Sequence, residues 1–575
     1  MNRRTRPYLV ITLLVLTGCA SDSSGPGPTP DLDCDPVPAP TVLAPGQAAI
    51  IDPNLTAGCV TLPAAGAGGA EYLIVAVSAA GQETPNGVTV DYVLDGNGAS
   101  AAAVASVEPG IASRALLEAW RPRPPARAFH AALRAREREL ARDPAVRLGA
   151  AAPRIISAPP VLGSKDTFDV CANTSCTSFT RVIATAKYVG PKGAIYLDDV
   201  VPPNGFTQAD LDTLGLLFDG GVSGAPPNMH QIDTTAFGSE SDIDGNGIVI
   251  FLLTDAVNAL SGTCPGGSII LGFFYGGDLL PRSGSNPGSN EAEIFYGLVP
   301  KTGGSCSAPK DFVIQVIAPT FIHEFQHMIS YNQHVLVGGS ASSEETWLNE
   351  GLSHFAEELG GRQLPDELGG LGGATSRLAQ FAIGDLLNAN DYLLEPEPHF
   401  MVSPGNSTGT LEERGAEWLF VRWVADHYGS DANGTDVTRA LVGTTRLGGN
   451  NVSFVTGDPM TELVPMWQMA NYLDNLPGFT GADPRLQYES WNFRQIFDTL
   501  NAQRPDIFPR EYPLAPDSTL TGFYARQGTL RAGSGRHVRI IQQPNAVEEQ
   551  LVLARSDGSP FPSDRAVRLG VVRIR

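Results

Sequence analysis

The stretch His323-Glu324-Phe325-Gln326-His327, separated by 22 residues from the Glu350 of Trp347-Leu348-Asn349-Glu350-Gly351, organises the reading of this chain. On a helix, residues four apart lie one above the other, so both imidazoles project from one face toward one ion. Glu324, beside the first His, can reach a metal-bound water without being a ligand itself. The helix is well supported locally. Pro319 fits a first-turn position, and Phe321, Ile322, Phe325, Met328 and Ile329 give it an apolar side to bury. The chain holds only 9 His, so two at this spacing around a Glu are not expected from composition.

A catalytic zinc takes three protein ligands and keeps one position open for water. A third His following the first helix would need Gly at position 330 and His at 333, but Ser330 and Gln333 stand there, with His334 one place late. That option fails. Glu350 and His354 remain. Ser342 followed by Glu345 reads as a capping box that opens their helix. Leu348, Leu352, Phe355 and Leu359 share one stripe, with Glu350, His354 and Glu357 opposite. A helix packed by one face and open to a cleft by the other has this pattern, as does one with its polar face in water.

The combination H-E-F-Q-H-M-I followed by W-L-N-E-G resembles a gluzincin site, and among gluzincins it is most similar to the hyicolysin-like bacterial neutral zinc metallopeptidases. The likeness extends to Ser289-Asn290-Glu291-Ala292-Glu293-Ile294-Phe295-Tyr296 and to Ser241-Asp242-Ile243-Asp244-Gly245-Asn246-Gly247. It covers roughly residues 165 to 480. It implies one Zn2+ on His323, His327 and Glu350, with Glu324 as general base; His354, one turn past Glu350, reads from its position as support for a ligand from behind. The resemblance also implies an α+β catalytic domain, a small twisted sheet over the metal helix plus a helical lobe, with the cleft between. The clan's oxyanion donor is a Tyr or His. In its aminopeptidase branch that Tyr precedes a Gly-Ala pair by three residues, where this chain has Glu412 before Gly415-Ala416. Tyr331, Tyr392, His399 and Arg414 are left as candidates.

Around this region the chain changes character. Arg3, Arg4 and Arg6, the apolar run Leu9 to Leu16 and Leu16-Thr17-Gly18-Cys19 resemble a lipoprotein signal, residues 1–18, with Cys19 acylated. The apolar run is too short to span a membrane. Residues 19–46 are a Ser/Gly/Pro-rich tether. Residues 47–108 read as a small β domain, with Tyr72 to Val77 and Val88 to Leu94 as strands. Residues 109–160 are Arg-rich and Ala-rich, helix-prone from Ala126 to Asp143, and suit either a linker or a removable pro-segment. Residues 161–510 form the metallopeptidase-like domain, with strands expected at Val182–Tyr188, Ala194–Leu197, Ile248–Thr254, Ile269–Tyr275 and Ile294–Val299. Residues 511–575 return to short strands as a C-terminal β module. On this reading residues 160 to 575 stand as a unit.

Setting Cys19 aside leaves six Cys of the seven, which suits an oxidising compartment. Nearest neighbours would pair as Cys34–Cys59, Cys171–Cys176 and Cys264–Cys306, one of fifteen connectivities. Asp242, Asp244 and Asn246 alternate as in calcium loops, but Leu253 stands where the closing acid belongs, and Asp-Gly-Asn-Gly is a turn signal in its own right. A net charge of -22 without a basic tract gives nucleic acid nothing to bind. The functional expectation is a lipid-anchored, extracytoplasmic zinc endopeptidase acting on proteins or peptides. The alternatives are an aminopeptidase, whose Gly-x-Met-Glu-Asn motif is replaced here by Ser289 to Glu293, and a surface adhesin retaining the fold.

Overall fold

The structure is a computed structural model. It describes residues 34, 37–96, 124–144, 157–202, 205–221, 227–262, 269–304, 306–364, 377–405, 407–520 and 523–575. The signal, Cys19 and Cys264 lie outside them.

Strand β3 (Ala70–Ser78) shows how the chain is assembled. Its run Tyr72-Leu73-Ile74-Val75-Ala76-Val77 lacks polar alternation and is buried throughout, the pattern of a strand covered on both faces. Tyr72, Ile74 and Ala76 enter one core, and Leu73, Val75 and Val77 enter another. The first core fills a sandwich. One sheet has the order β1 (Ala48–Ile51), β15 (Val567–Arg573), β3, β13 (Gly535–Gln542), β11 (Asp517–Thr519). The other has the order β12 (Tyr524–Arg531), β4 (Thr89–Gly96), β14 (Glu549–Ala554), β2 (Cys59–Leu62).

The two β segments expected as separate modules are therefore interleaved. β3 lies antiparallel between β13 and β15, and β4 lies antiparallel between β12 and β14. Turn signals and alternation mark each strand but cannot tell which strand, more than 400 residues away, supplies the partner. On its outer face β3 meets helix α8 (Met460–Leu473) of the helical lobe.

The middle of the chain forms a mixed α+β unit. Its sheet runs β5 (Lys165–Cys171), β6 (Phe179–Val189), β7 (Gly193–Asp198), β8 (Val249–Leu253), β10 (Ile294–Gly297), β9 (Gly272–Phe274). β7, β8 and β10 are parallel, and β9 closes the edge antiparallel to β10. Helix α4 (Lys310–Tyr331) packs on this sheet, with Phe321 stacked 4.5 Å from Phe251. Helices α5 (Thr346–Gln363), α6 (Arg377–Leu394) and α7 (Leu411–Tyr428) build the lobe beside it. Before them come α1 (Pro124–Arg142), α2 (Gln208–Asp219), α3 (Met229–Phe237) and a short helix, Asp255–Leu260.

Two helix starts differ from the sequence reading. α4 begins at Lys310, so Pro319 is interior rather than in the first turn. Proline removes the N–H that would reach the carbonyl four residues back. That carbonyl, Gln315 O, instead accepts from Gln380 Nε2 of α6 at 3.2 Å. α5 opens after Glu345, and Ser342 does not cap it. Its first N–H, on Thr346, goes to Glu83 Oε2 at 3.0 Å, a carboxylate from the loop between β3 and β4. The sandwich thus caps the helix that carries Glu350. Cys34–Cys59 and Cys171–Cys176 are bonded as expected, and Cys306 is also in a disulfide.

A chain beginning at residue 160 would leave β11 to β15 without β3 and β4. It should be insoluble or melt without a cooperative transition in calorimetry, whereas the full chain melts cooperatively. A truncated chain of equal stability would contradict this assembly.

Candidate active site

α4 and α5 meet with the motif residues on their facing sides. His323 Nε2 stands 3.6 Å from Glu350 Oε2, and His327 Nε2 stands 3.6 Å from Glu350 Oε1. All three residues are buried, and one donor atom from each lies within 4.8 Å of the other two. These separations are too long for hydrogen bonds. Donor atoms sharing one tetrahedral zinc stand about 3.3 Å apart. Glu350 Oε2 is buried and makes no hydrogen bond. The donor set and its spacing fit a zinc ion.

Close helix approach makes this meeting possible. A Cβ at Gly351 would stand 2.8 Å from Glu417 O of α7, so only glycine lets α5 lie so near that helix beside Glu350. α7 itself opens on a true capping box, Thr410 with Glu413. It sends Arg414 inward, with Nη2 3.4 Å from Glu350 Oε2. Burial alone would raise the Glu350 carboxyl. Arg414 and the two imidazoles outweigh it and hold the group well below the usual carboxylate range.

Glu324 is also buried. Its Oε2 accepts the Phe274 N–H at 2.9 Å from the edge strand β9. Burial pushes its carboxyl up to about 7, partly offset by His323 and Arg134.

Behind the ligands, His323 Nδ1 pairs with Glu357 Oε1 at 2.7 Å, so Glu357 holds the ring directly. His354 stands behind it, with Nδ1 3.0 Å from the same Glu357 oxygen and 2.9 Å from Asp385 Oδ1. The signal was present in the sequence. Glu350 and Glu357 are seven residues, two turns, apart on one face.

A cavity of about 320 Å³ opens on this cluster. His323, Glu324 and Glu350 line it together with apolar side chains such as Leu271, Phe312, Val316, Phe381 and Leu387. Of the four candidate oxyanion donors only Arg414 lines it. Tyr392 is buried and takes a hydrogen bond from Gln468, and Tyr331 packs against Phe274. His130, from α1, lines the cavity without any local motif to announce it. A larger recess, about 630 Å³, lies between the sandwich edge and Arg485 and contains none of the motif residues.

The calcium loop is not supported. Asn246 turns its amide nitrogen to Asp244 Oδ2 at 2.6 Å, and its oxygen accepts from Ile248 N. Asp242 Oδ1 accepts from Gly247 N. The oxygens serve the turn, the competing reading of the same residues.

Comparison with known proteins follows the motifs. A curated relative, the neutral metalloprotease ShpI of Staphylococcus hyicus, is 28% identical over 180 residues, 31% of this chain and 36% of its own length. The chain resembles a neutral metalloprotease. The match spans about a third of that relative. No family model matches the chain. Among solved structures, the M1 zinc metallopeptidase of Deinococcus radiodurans is 12% identical, covering 53% of this chain and 48% of that one, with a TM-score of 0.23. A variant of the same enzyme is 11% identical, covering 53% and 49%, with a TM-score of 0.25. Likenesses at that level carry no argument here.

Removing the Glu357 carboxylate should loosen His323 and cost about 10- to 100-fold in zinc affinity. Glu357→Gln compared with wild type by chelator competition measures this. Equal affinities would show that Glu357 does not support the ligand.

Proposed function

We propose that the chain is a zinc-dependent endopeptidase, with His323, His327 and Glu350 holding the metal and Glu324 acting as general base. The convergence of these three donors on one point, beside Glu324 and at the floor of an open cavity, carries the reading. Bound zinc lowers the pKa of its water to about 7 and polarises the scissile carbonyl. Glu324, fixed through Oε2, offers Oε1 to take the water proton and return it to the leaving amine. On the edge strand the position left to meet an extended substrate is Gly272, because the outward groups of Phe274 are taken. Phe274 turns both its N–H and its C=O away from β10, toward Glu324 and Arg134. By alternation Gly272 presents its backbone to the same side, where it lines the cavity.

One observation weighs against the aminopeptidase reading. Over the Gly-x-Met-Glu-Asn positions Ala292 stands where that branch has its acid; Asn290 bonds to Asp278 and Tyr296, and Glu293 accepts from Ser241 and Ile243. Neither residue lines the cavity. We also read the chain as exported and lipid-anchored through Cys19, at the outer membrane or the cell surface. The Leu16-Thr17-Gly18-Cys19 signal and the disulfides support that. Among the described residues no helix is long and apolar enough to cross a membrane.

The purified full chain should contain one zinc and cleave casein in a chelator-sensitive manner while leaving aminoacyl-nitroanilides intact. Glu324→Gln should keep the zinc and lose about 10²- to 10⁴-fold in kcat. Cleavage of the nitroanilide alone would make it an aminopeptidase, and inactivity on both would favour the adhesin. Full activity in Glu324→Gln would remove Glu324 from the chemistry.

A further inference from the structure

α1 lies outside the stretch that carries the family resemblance, yet it contributes His130 to the lining of the cleft. Phe129 and Leu133 are buried in the main core, and Phe129 packs edge-on to Phe273 of β9 at 5.0 Å. Polar contacts lock the helix to the same strand. Arg134 Nη2 donates to Phe274 O at 2.7 Å and Arg134 Nη1 pairs with Glu137 Oε2 at 3.0 Å. Glu137 Oε1 accepts from Gly276 N at 2.7 Å, and both charged residues are buried. Phe274 is thus held at its N–H by Glu324 and at its C=O by Arg134. A position that grips the general base also grips α1.

This anchoring bears on whether α1 is a detachable pro-segment. Removing everything up to residue 160 would take β3 and β4 from the middle of both sandwich sheets. It would also leave edge-strand groups without their buried partners, a loss of about 1–3 kcal/mol per unsatisfied group. α1 is a resident part of the cleft.

What α1 brings to the cleft is His130. The ring is partly buried and lines the cavity with His323, Glu324, Glu350 and Arg414. Among the described residues it belongs to none of the clusters spaced to hold a metal. It therefore faces the reaction space from outside the ligand set. The charged and titratable groups around it are Arg414, Glu350, Arg134 and His323. Burial first, then the Arg414 cation, lower its pKa, and an imidazole keeps an N–H to donate in either protonation state. Tyr331 and Tyr392 do not line the cavity, and Arg414 is drawn toward Glu350 and Thr408 O.

We propose that His130 is a catalytic residue, whose imidazole N–H donates to the scissile carbonyl oxygen as negative charge develops on it, with Arg414 alongside. The proposal rests on the peptidase reading above. It needs no covalent step, since His130 supplies a hydrogen bond and no proton transfer.

The test compares wild type, His130→Ala and His130→Gln as full-length zinc proteins. His130→Ala should keep its zinc and lose about 100-fold in kcat, with little change in KM. Binding measured by calorimetry should split in the same way. Affinity for a peptide phosphonamidate, tetrahedral and anionic at phosphorus, should fall by a similar factor, while affinity for a product peptide stays within about twofold of wild type. His130→Gln, which keeps an N–H donor, should recover part of both losses. An Ala variant as active as wild type, or more active, would overturn the proposal and make α1 a plug. Unchanged phosphonamidate affinity in an inactive Ala variant would reduce His130 to packing and also overturn it. If wild type itself neither cleaves peptides nor binds the phosphonamidate, the peptidase reading falls and takes this proposal with it.

Discussion

A buried carboxylate sets the terms for this molecule. Glu350 lies out of solvent among two imidazoles, with one oxygen that makes no hydrogen bond. An ionised carboxylate in such a place is costly unless cations and donors surround it. Arg414, at 3.4 Å, supplies one cation. The two ring nitrogens, 3.6 Å away, are too far to hydrogen bond and are spaced as ligands are. A divalent ion at the shared point would satisfy all three groups together. The rest of the structure reads as the means of holding α4, α5 and α7 in the one arrangement that permits it.

Those means come from distant parts of the chain. Gly351 lets α5 approach α7, and the interior Pro319 frees a carbonyl that ties α4 to α6. Glu83, from the N-terminal half of the sandwich, caps α5 one turn before Glu350. β3 is buried on one face by its partner sheet and on the other by the helical lobe. The flanking β segments are thus joined to the site mechanically. A cap of this kind is worth about 1 kcal/mol, small against the whole fold but applied to the helix that carries a ligand.

The sequence made the metal cluster legible because its logic is local. His323 and His327 are one turn apart, and the polar stripe of α5 runs through Glu350 and Glu357. Five strands of the central sheet were equally visible as apolar runs, whereas β5, with Lys165, Asp166 and Asp169 among its residues, was not. Other features were hidden because they depend on long-range pairing. Nothing near Tyr72 says that its strand pairs with residues beyond 535. Nothing near Ser342 says that a carboxylate from residue 83 will cap the helix instead. The turn at Asp242 to Gly247 had two readings, and only the side-chain contacts separate them. His130 lies 193 positions before His323, in a helix whose composition suited a linker or a removable pro-segment. Its place in the cleft follows from contacts of Phe129, Arg134 and Glu137 with an edge strand, which no motif encodes.

X-ray absorption at the zinc edge of the full-length protein tests the central claim most directly. The account predicts a first shell of two imidazole nitrogens and carboxylate or water oxygen at about 2.0–2.2 Å, without sulfur, and a shell that loses its carboxylate in Glu350→Ala. A spectrum unchanged by that substitution, or a shell containing sulfur, would contradict it.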